Sequence, residues 1–296
     1  MVQKDLKSAQ TKENFKLLKP KNDIVFQNLF TKNNVGITKA FAEALLEEKI
    51  DKISINEDKE LLRENPNDKL GILDLELDVN NNEKVDVEIQ LVDKKNFVQR
   101  LLFYFSKLYQ SQIKKGSNYK DARRVVLIAI IDYPFELTES IKEMETVWQI
   151  MEKNHQNLVL TNYFELHILE LEKVRDTYLK DKKNEKAQWM LFLDDPNSRE
   201  VQEIMEDNKE IKEATVVVRK MSEDEKMQRL ADLREKAIMD EKAIYEAGID
   251  KGIKQGIEKR EKEIIENMLS ANMSIEQIAK LTGIALEKVQ SIAKNV

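Results

Sequence analysis

The feature that most constrains this chain is a stretch in which acidic and apolar residues alternate, "DLELDVNNNEKVDVEIQ", between Asp74 and Gln90. Side chains of a strand point alternately to opposite faces, so each half of this stretch predicts a strand with an apolar and an acidic face. The asparagine run between the halves predicts a turn, because asparagine tolerates left-handed backbone angles. The stretch therefore predicts a β-hairpin with its apolar side chains on a core and its carboxylates on the opposite face.

Two registers of this hairpin satisfy the pattern, and both require a loop of odd length. One register places Asp74 opposite Glu88. The other shifts the pairing by two residues, so that Asp74 faces Gln90. Either register brings like charges together, which destabilises a sheet. A divalent cation such as Mg²⁺, which takes carboxylate oxygens, would offset the repulsion, and a solvated acidic face is the alternative.

The composition excludes several classes of site. The 296 residues include no cysteine, which excludes disulfides and thiolate metal centres and fits a reducing compartment. The sequence has no long apolar run and no hydrophobic signal segment at its start, so we expect a soluble cytoplasmic protein without a membrane partner. Only His155 and His167 could serve a histidine-dependent triad, and neither lies in a nucleophile motif. The acidic residues remain the best catalytic candidates.

Periodic apolar residues predict the elements around the hairpin. The stretch "KPKNDIVFQNLF" predicts a helix that begins near Asn22, with Asp23 in its first turn. Further helices are predicted at "ITKAFAEALLEEKI", at "NFVQRLLFYFSKLYQSQIKKG" and at "SIKEMETVWQIME". The apolar "RRVVLIAIID" predicts a strand buried on both faces, and "YFELHILELEKV" predicts another strand. This mixture predicts an α/β core.

Composition and pattern divide the chain into four predicted segments. From about residue 185 Glu, Lys and Ala dominate, which predicts successive long helices, with a solvated helical spacer as the alternative. The segments are a tail, an α/β domain, a helical region and a C-terminal helical tail, at 1–19, 20–175, 176–245 and 246–296.

The C-terminal tail contains two notable patterns. Gly248, Gly252 and Gly256 recur every four residues, which favours close packing of helices, with a kinked helix as the alternative. Two short apolar-periodic stretches around Thr282 and Gly283 have the spacing of a helix-turn-helix. They could read DNA or mediate self-association. Since most homo-oligomers are twofold dimers, we expect a homodimer held by these C-terminal helices.

Basic residues follow the acidic hairpin directly. Residues 93–124 contain nine Lys or Arg and two Asp, in a chain whose net charge is −6. A basic helix beside carboxylates suits a substrate that carries phosphates. Arg100 and Tyr104 share a helix face, and Lys107 lies one turn further, so these three are the predicted substrate contacts. The alternative is a helix whose aromatics are core and whose lysines are solvated.

Taken together, "KNDIVFQNLF", "LDLELDVNNNEKVDVEIQ" and "RLLFYFSKLYQSQIKKGSNY" resemble the PD-(D/E)XK nuclease superfamily. Within it they resemble the Rpn-type family of recombination-promoting nucleases and transposases, and the resemblance extends over most of the chain. It implies a restriction-endonuclease-like α/β core, in which a mixed central sheet is flanked by helices. A long helical C-terminal region would follow that core.

The resemblance also implies roles for individual residues. Asp74 corresponds to the superfamily's Asp, and Glu88 and Gln90 correspond to its Asp/Glu-x-Lys pair. Gln90 departs from the common Lys and cannot hold a positive charge, so Arg100 would supply it. The implied ligands of Mg²⁺ are Asp74, Glu88, the main-chain carbonyl of Ile89 and the first-helix acid Asp23.

The implied activity is that of a Mg²⁺-dependent DNA endonuclease linked to recombination, mobile elements or defence. The alternative is a non-cleaving DNA-binding or self-associating protein that retains the nuclease fold. Glu76, Asp78 and Asp86 share the acidic face but lie farther along it, and we interpret them as residues that either support the cation ligands or are solvated, with solvation favoured.

Overall fold

The chain forms two compact units, Met1–Ile238 and Met239–Val296. Among the described residues, no helix is both long and apolar enough to cross a membrane. Most of the predicted N-terminal tail, residues 1–14, lies outside the described part. The computed structural model describes residues 15–56, 73–93, 95–155 and 157–294.

A mixed six-stranded sheet forms the centre of the first unit. Its strands are β1 Ile53–Asn56, β2 Leu75–Val79, β3 Glu83–Gln90, β4 Arg124–Ile131, β5 Glu145–Met151 and β6 Val159–Glu170. The spatial order is β1-β2-β3-β4-β6-β5. The β3–β4 and β4–β6 pairs are parallel, and the other neighbouring pairs are antiparallel. The predicted mixed sheet flanked by helices is confirmed.

Helices cover both faces of this sheet and make up the C-terminal part of the chain. Asn22 caps the first helix, as predicted, by accepting a hydrogen bond from the main-chain N–H of Ile24. The helices are α1 Asp23–Leu29, α2 Val35–Leu46, α3 Phe97–Ser111, α4 Val174–Lys180, α5 Glu185–Asp194, α6 Arg199–Asp207, α7 Lys209–Glu223, α8 Glu225–Ser270, α9 Ile275–Thr282 and α10 Leu286–Ala293.

Apolar side chains of β4 enter two separate cores. Val126 and Ile128 face the helical layer that contains α1, α2 and α5. Val125 and Leu127 face α3 on the other side of the sheet. Every residue of 125–131 is buried, as the continuous apolar run predicts for a central parallel strand. Alternate side chains of β4 therefore pack against helices on opposite faces of the sheet.

One element was predicted wrongly and one was not predicted. The stretch "SIKEMETVWQIME" forms the edge strand β5 rather than a helix, because six of its residues pair with β6. Its Thr, Val, Trp and Ile content suits a strand, and tertiary pairing decides the conformation of so short a segment. Strand β1 has four residues, too few for a visible alternation, and was not predicted.

The helices after residue 175 divide between the two units. Helices α4 to α7 pack in the first unit, where α5 and α7 contact α2 and α7 also contacts α1. In the second unit, Ile265, Ile278 and Val289 form a small core that joins the end of α8 to α9 and α10. Gly283 adopts a left-handed φ of 73° between the last two helices, so the predicted helical hairpin is present.

Candidate functional site

The hairpin of β2 and β3 adopts the first of the two predicted registers. Leu75 pairs with Val87, which places Asp74 across from Glu88. The loop between the strands has odd length, and its Asn80 and Asn81 have φ values of 50° and 59°. Their left-handed conformation is one that asparagine tolerates better than most residues.

The ends of β2 and β3 bring Asp74 and Glu88 together. The main-chain N–H of Asp74 donates to Glu88 Oε1 at 3.2 Å. The main-chain N–H of Ile89 donates to Asp74 Oδ2 at 2.9 Å. Regular pairing of β2 starts only at Leu75, so no main-chain group of the described residues pairs with Ile89 on this side, and the Asp74 carboxylate accepts its N–H instead.

Burial gives these acids unusual proton affinities. Glu88 is 3% exposed and Asp86 is completely buried. Burial, together with the neighbouring charges of Asp86 and Asp74, raises the pKa of Glu88 well above its ordinary value. Burial and the charges of Asp74 and Glu76 likewise raise the pKa of Asp86, whose two oxygens have no hydrogen-bond partner in the described structure. Charge repulsion is therefore concentrated at this end of the hairpin.

The favoured interpretation of the remaining acids as solvated is wrong for Glu76 and Asp86, which are buried. Glu76 is buried and accepts hydrogen bonds from Lys84 Nζ at 2.6 Å and from Asn56 Nδ2 at 3.0 Å. Asp78 is only partly exposed and pairs with Arg123 at 2.6 Å. Asp86 is buried without such a partner. Cations thus neutralise the row near the turn, whereas Asp86 and Glu88 have no ion pair to any described residue.

Arg100 reaches the hairpin from α3. Its Nη1 donates to Gln90 Oε1 at 2.7 Å, and its Nη2 donates to the Tyr104 hydroxyl at 3.2 Å. Burial opposes the charge of Arg100, but the Tyr104 hydroxyl and the charges of Glu88 and Asp74 raise its pKa. Hydrogen bonds therefore join Gln90 to Arg100 and Arg100 to Tyr104, the residue predicted to share its helix face.

Lys107 does not join this group. It lies partly exposed on α3, and no hydrogen bond or ion pair links it to another described residue. A flexible lysine in that position can still reach a bound phosphate, but the fold does not hold it in place.

The first helix contributes a different residue from the one predicted. Asp23 binds Arg234 Nε through both of its carboxylate oxygens, at 2.9 and 2.7 Å. Gln27 instead reaches the site, where its Nε2 donates to Asp74 Oδ1 at 3.1 Å. The sequence pointed to Asp23 because it is acidic. Gln27, four residues later on the same helix face, was missed because a neutral amide carries no comparable signal.

The donors at this site fit a hard divalent cation. Asp74 and Glu88 supply carboxylate oxygens, and the Ile89 carbonyl accepts from Gln90 Nε2 at 3.0 Å while keeping a second lone pair. Within the described ranges, no three His, Cys, Asp or Glu side chains are arranged to hold a metal ion. Mg²⁺ needs no such group, since it commonly uses one or two carboxylates, waters and substrate phosphates. The carboxylate of Glu88 is repelled by those of Asp86 and Asp74, and a bound cation would reduce this repulsion.

A family model described as "PD-(D/E)XK nuclease family transposase" matches residues 20–248, which include the whole hairpin and α3. No curated protein and no solved structure matches the chain.

Proposed function

Because this chain belongs to the PD-(D/E)XK nuclease family of transposases, we propose that it is a Mg²⁺-dependent endonuclease that hydrolyses phosphodiester bonds of DNA. Its action would serve recombination, mobile elements or defence. The observation that carries this proposal is the placement of Asp74 beside the buried Glu88 at the end of a hairpin, close enough to Arg100 for their charges to interact.

The cation would be held by Asp74, Glu88 and the main-chain carbonyl of Ile89. When bound, it would neutralise charge on the phosphate and acidify a water molecule. Asp74 is preorganised, since the Ile89 N–H holds one of its oxygens. We leave Asp23 out of this set because Arg234 occupies its carboxylate.

Arg100 would stabilise negative charge that develops on the phosphate. A guanidinium has five N–H donors, and the hydrogen bonds to Gln90 and Tyr104 leave others to face a substrate. Gln90 would act by aiming Arg100, because its amide has no basic group and both of its ends are engaged. Tyr104 would support the same guanidinium, and Lys107 would contact the DNA backbone further along α3.

Plasmid cleavage tests the proposal directly. The wild type should nick or linearise supercoiled DNA with Mg²⁺ and not with excess chelator, and Asp74→Ala should be inactive. Lys180→Ala, a change at the exposed end of α4, is the matched control. Equal cleavage by wild type and Asp74→Ala would trace the activity to another site or to a contaminant.

The alternative, a DNA-binding protein that does not cleave, is favoured by the amide at Gln90 and by the finding that no three acidic side chains of the described ranges are arranged to hold a metal ion. A gel-shift titration with and without Mg²⁺ distinguishes the two. DNA binding that leaves the substrate intact across Mg²⁺, Mn²⁺ and Co²⁺ would support the alternative and overturn the nuclease proposal.

We propose further that two copies associate through the C-terminal helices, so that two sites can cut both strands. Ile253 and Ile257 are more than half exposed, and a Cβ at Gly252 would contact nothing in the described chain. Gly252→Ala should raise the helix stability of an isolated chain by about 1 kcal/mol. In a dimer packed at this glycine it should instead weaken association, which sedimentation of the full-length protein measures. Unchanged association would remove this interface from the proposal.

A further inference from the structure

Gln27 makes the side-chain contact that ties Asp74 to the helical layer. Its Nε2 donates to Asp74 Oδ1 at 3.1 Å, while the main-chain N–H of Ile89 donates to Asp74 Oδ2 at 2.9 Å. Each oxygen of the carboxylate therefore has an N–H donor, one from a helix and one from the sheet. These two donors, on opposite ends of the carboxylate, restrict its rotation.

The helix that carries Gln27 is firmly anchored. Val25, Phe26 and Leu29 of α1 are completely buried in the core between α1, α2 and α5. Asn22 caps the helix, and its Nδ2 donates to the Ala231 carbonyl at 3.1 Å. The packing of α1 therefore fixes the position of the Gln27 backbone relative to β3. This position determines the direction from which the Gln27 amide donates to Asp74.

We propose that Gln27 is a positioning residue, which holds the Asp74 carboxylate in the orientation that accepts the divalent cation. This inference rests on the proposed function, because it concerns the same cation. Hydrogen bonds that orient a metal-ligating carboxylate commonly change metal affinity ten- to a hundredfold.

A neutral amide suits this place for an electrostatic reason. Asp74, Asp86 and Glu88 already repel one another, so a carboxylate at position 27 would add to the repulsion in the absence of cation. An ammonium at position 27 would compete with the cation for Asp74. Glutamine donates an N–H without changing the net charge.

Binding of Mn²⁺ to the full chain, measured by isothermal titration in the absence of DNA, tests the inference. Gln27→Leu keeps the size and helix propensity but removes the donor, and its dissociation constant for Mn²⁺ should rise about tenfold. Asn28→Leu is the matched control, because Asn28 is exposed and its amide donates only to the Ile24 carbonyl of its own helix. It should bind Mn²⁺ like the wild type. Circular dichroism melting of both variants reports whether the fold is retained.

A second readout separates positioning from loss of structure. In plasmid cleavage, Gln27→Leu should need about tenfold more Mg²⁺ for half-maximal rate and should approach the wild-type rate at saturating Mg²⁺. A lower rate that saturating Mg²⁺ does not restore would overturn the positioning role. If Gln27→Leu melts early, Gln27→Ala takes its place in both measurements.

The outcomes distinguish this inference from the proposed function. If Mn²⁺ binds the wild type but not Asp74→Ala, and Gln27→Leu matches the wild type, the cation site stands and Gln27 has no part in it. If the wild type and Asp74→Ala give the same Mn²⁺ isotherm, no cation depends on Asp74, and both the inference and the proposed function fail.

Discussion

The two faces of the central sheet carry acidic clusters that differ in how their charge is compensated. On the face covered by α3 lie the hairpin acids, which we define as Asp74, Asp86 and Glu88. On the face covered by α1, α2 and α5 lies a charged network in which carboxylates alternate with basic side chains. Its members are Glu83, Arg124, Glu165, His167, Glu145 and Lys186.

Each carboxylate of the charged network has at least one cationic or imidazole partner. Arg124 bridges Glu83 at 2.8 Å and Glu165 at 2.5 Å. His167 lies on β6 between Glu165 at 3.0 Å and Glu145 at 2.7 Å. The interior of the protein thus tolerates these carboxylates because partners arrive from neighbouring strands and from α5.

The proton affinities of the two clusters move in opposite directions. Burial raises the pKa of Glu88, and the charges of Asp86 and Asp74 add to that effect. Burial acts the same way on Glu145, but hydrogen bonds from His167 and Lys186 outweigh it and lower the pKa. The contrast between Glu88 and Glu145 shows that burial alone does not identify a functional acid. A buried acid without a cationic partner is the one that a ligand must neutralise.

The largest expected effect is on cleavage by the hairpin acids. Glu88→Gln should lower the rate of plasmid cleavage by about 10³-fold, because it removes a proposed ligand of the cation that would stabilise charge on the phosphate. Because it removes an uncompensated buried charge, the variant should melt no lower than the wild type in chelator. Differential scanning calorimetry and cleavage assays on one preparation check both halves. A large loss of stability together with activity would make Glu88 a structural acid.

The next largest effect is a loss of fold stability when one carboxylate of the charged network is replaced. Glu145→Gln should leave the cleavage rate within a few-fold of wild type but destabilise the fold by about 2 kcal/mol, below the 3–5 kcal/mol of a fully buried pair. Lys186, which is 4% exposed, would lose its closest partner and keep only the exposed Glu47 at 3.0 Å. Urea denaturation measures the change. Loss of cleavage with an unchanged midpoint would contradict the contrast between the two faces.

A smaller effect on cleavage is expected from replacing Gln90, the hairpin residue that accepts a hydrogen bond from Arg100 of α3. Gln90→Lys should reduce cleavage about tenfold, because it removes the acceptor for Arg100 and places an ammonium against the guanidinium. The double variant Gln90→Lys with Arg100→Gln restores one cation and one amide, and should recover most of the loss. Additive losses in this double-mutant cycle would show that the two residues act independently.

The smallest expected effect is a difference in how the stability of the two variants depends on pH. The raised pKa of Glu88 means that its contribution to stability is present below the ordinary value of 4.5 and is lost as pH rises through the raised pKa. The lowered pKa of Glu145 means that its contribution is present above 4.5 and is lost as pH falls through the lowered pKa.

Thermal melts in chelator should show these two opposite pH dependences of stability. The melting temperature of Glu88→Gln relative to wild type should increase from pH 5 to pH 8, and the deficit of Glu145→Gln should shrink below pH 4. Added Mg²⁺ should reduce the advantage of Glu88→Gln at pH 8, since the cation neutralises the same charge. Parallel pH curves for both variants would refute the assignment of opposite electrostatic environments.

Local sequence patterns predicted much of the fold and placed Asp74 and Glu88 on the same face of the hairpin. Alternation assigned Asp74 and Glu88 to one face of a hairpin, because the side-chain period of a strand is independent of the rest of the molecule. The continuous apolar run likewise predicted the buried β4. The helix Asp23–Leu29 and its cap at Asn22 followed from capping chemistry within a few residues of sequence.

Tertiary structure decided which charges are compensated and which are left for a ligand. Gln27 contacts Asp74 across 47 residues of sequence, and Arg234 reaches Asp23 across 211. Lys84 neutralises Glu76 but not Asp86, although all three side chains belong to the same face of one hairpin. The strand β5 also owes its conformation to β6. Periodicity sets the direction of a side chain, whereas its ion-pair partner depends on which distant elements pack beside it, and no local pattern records that.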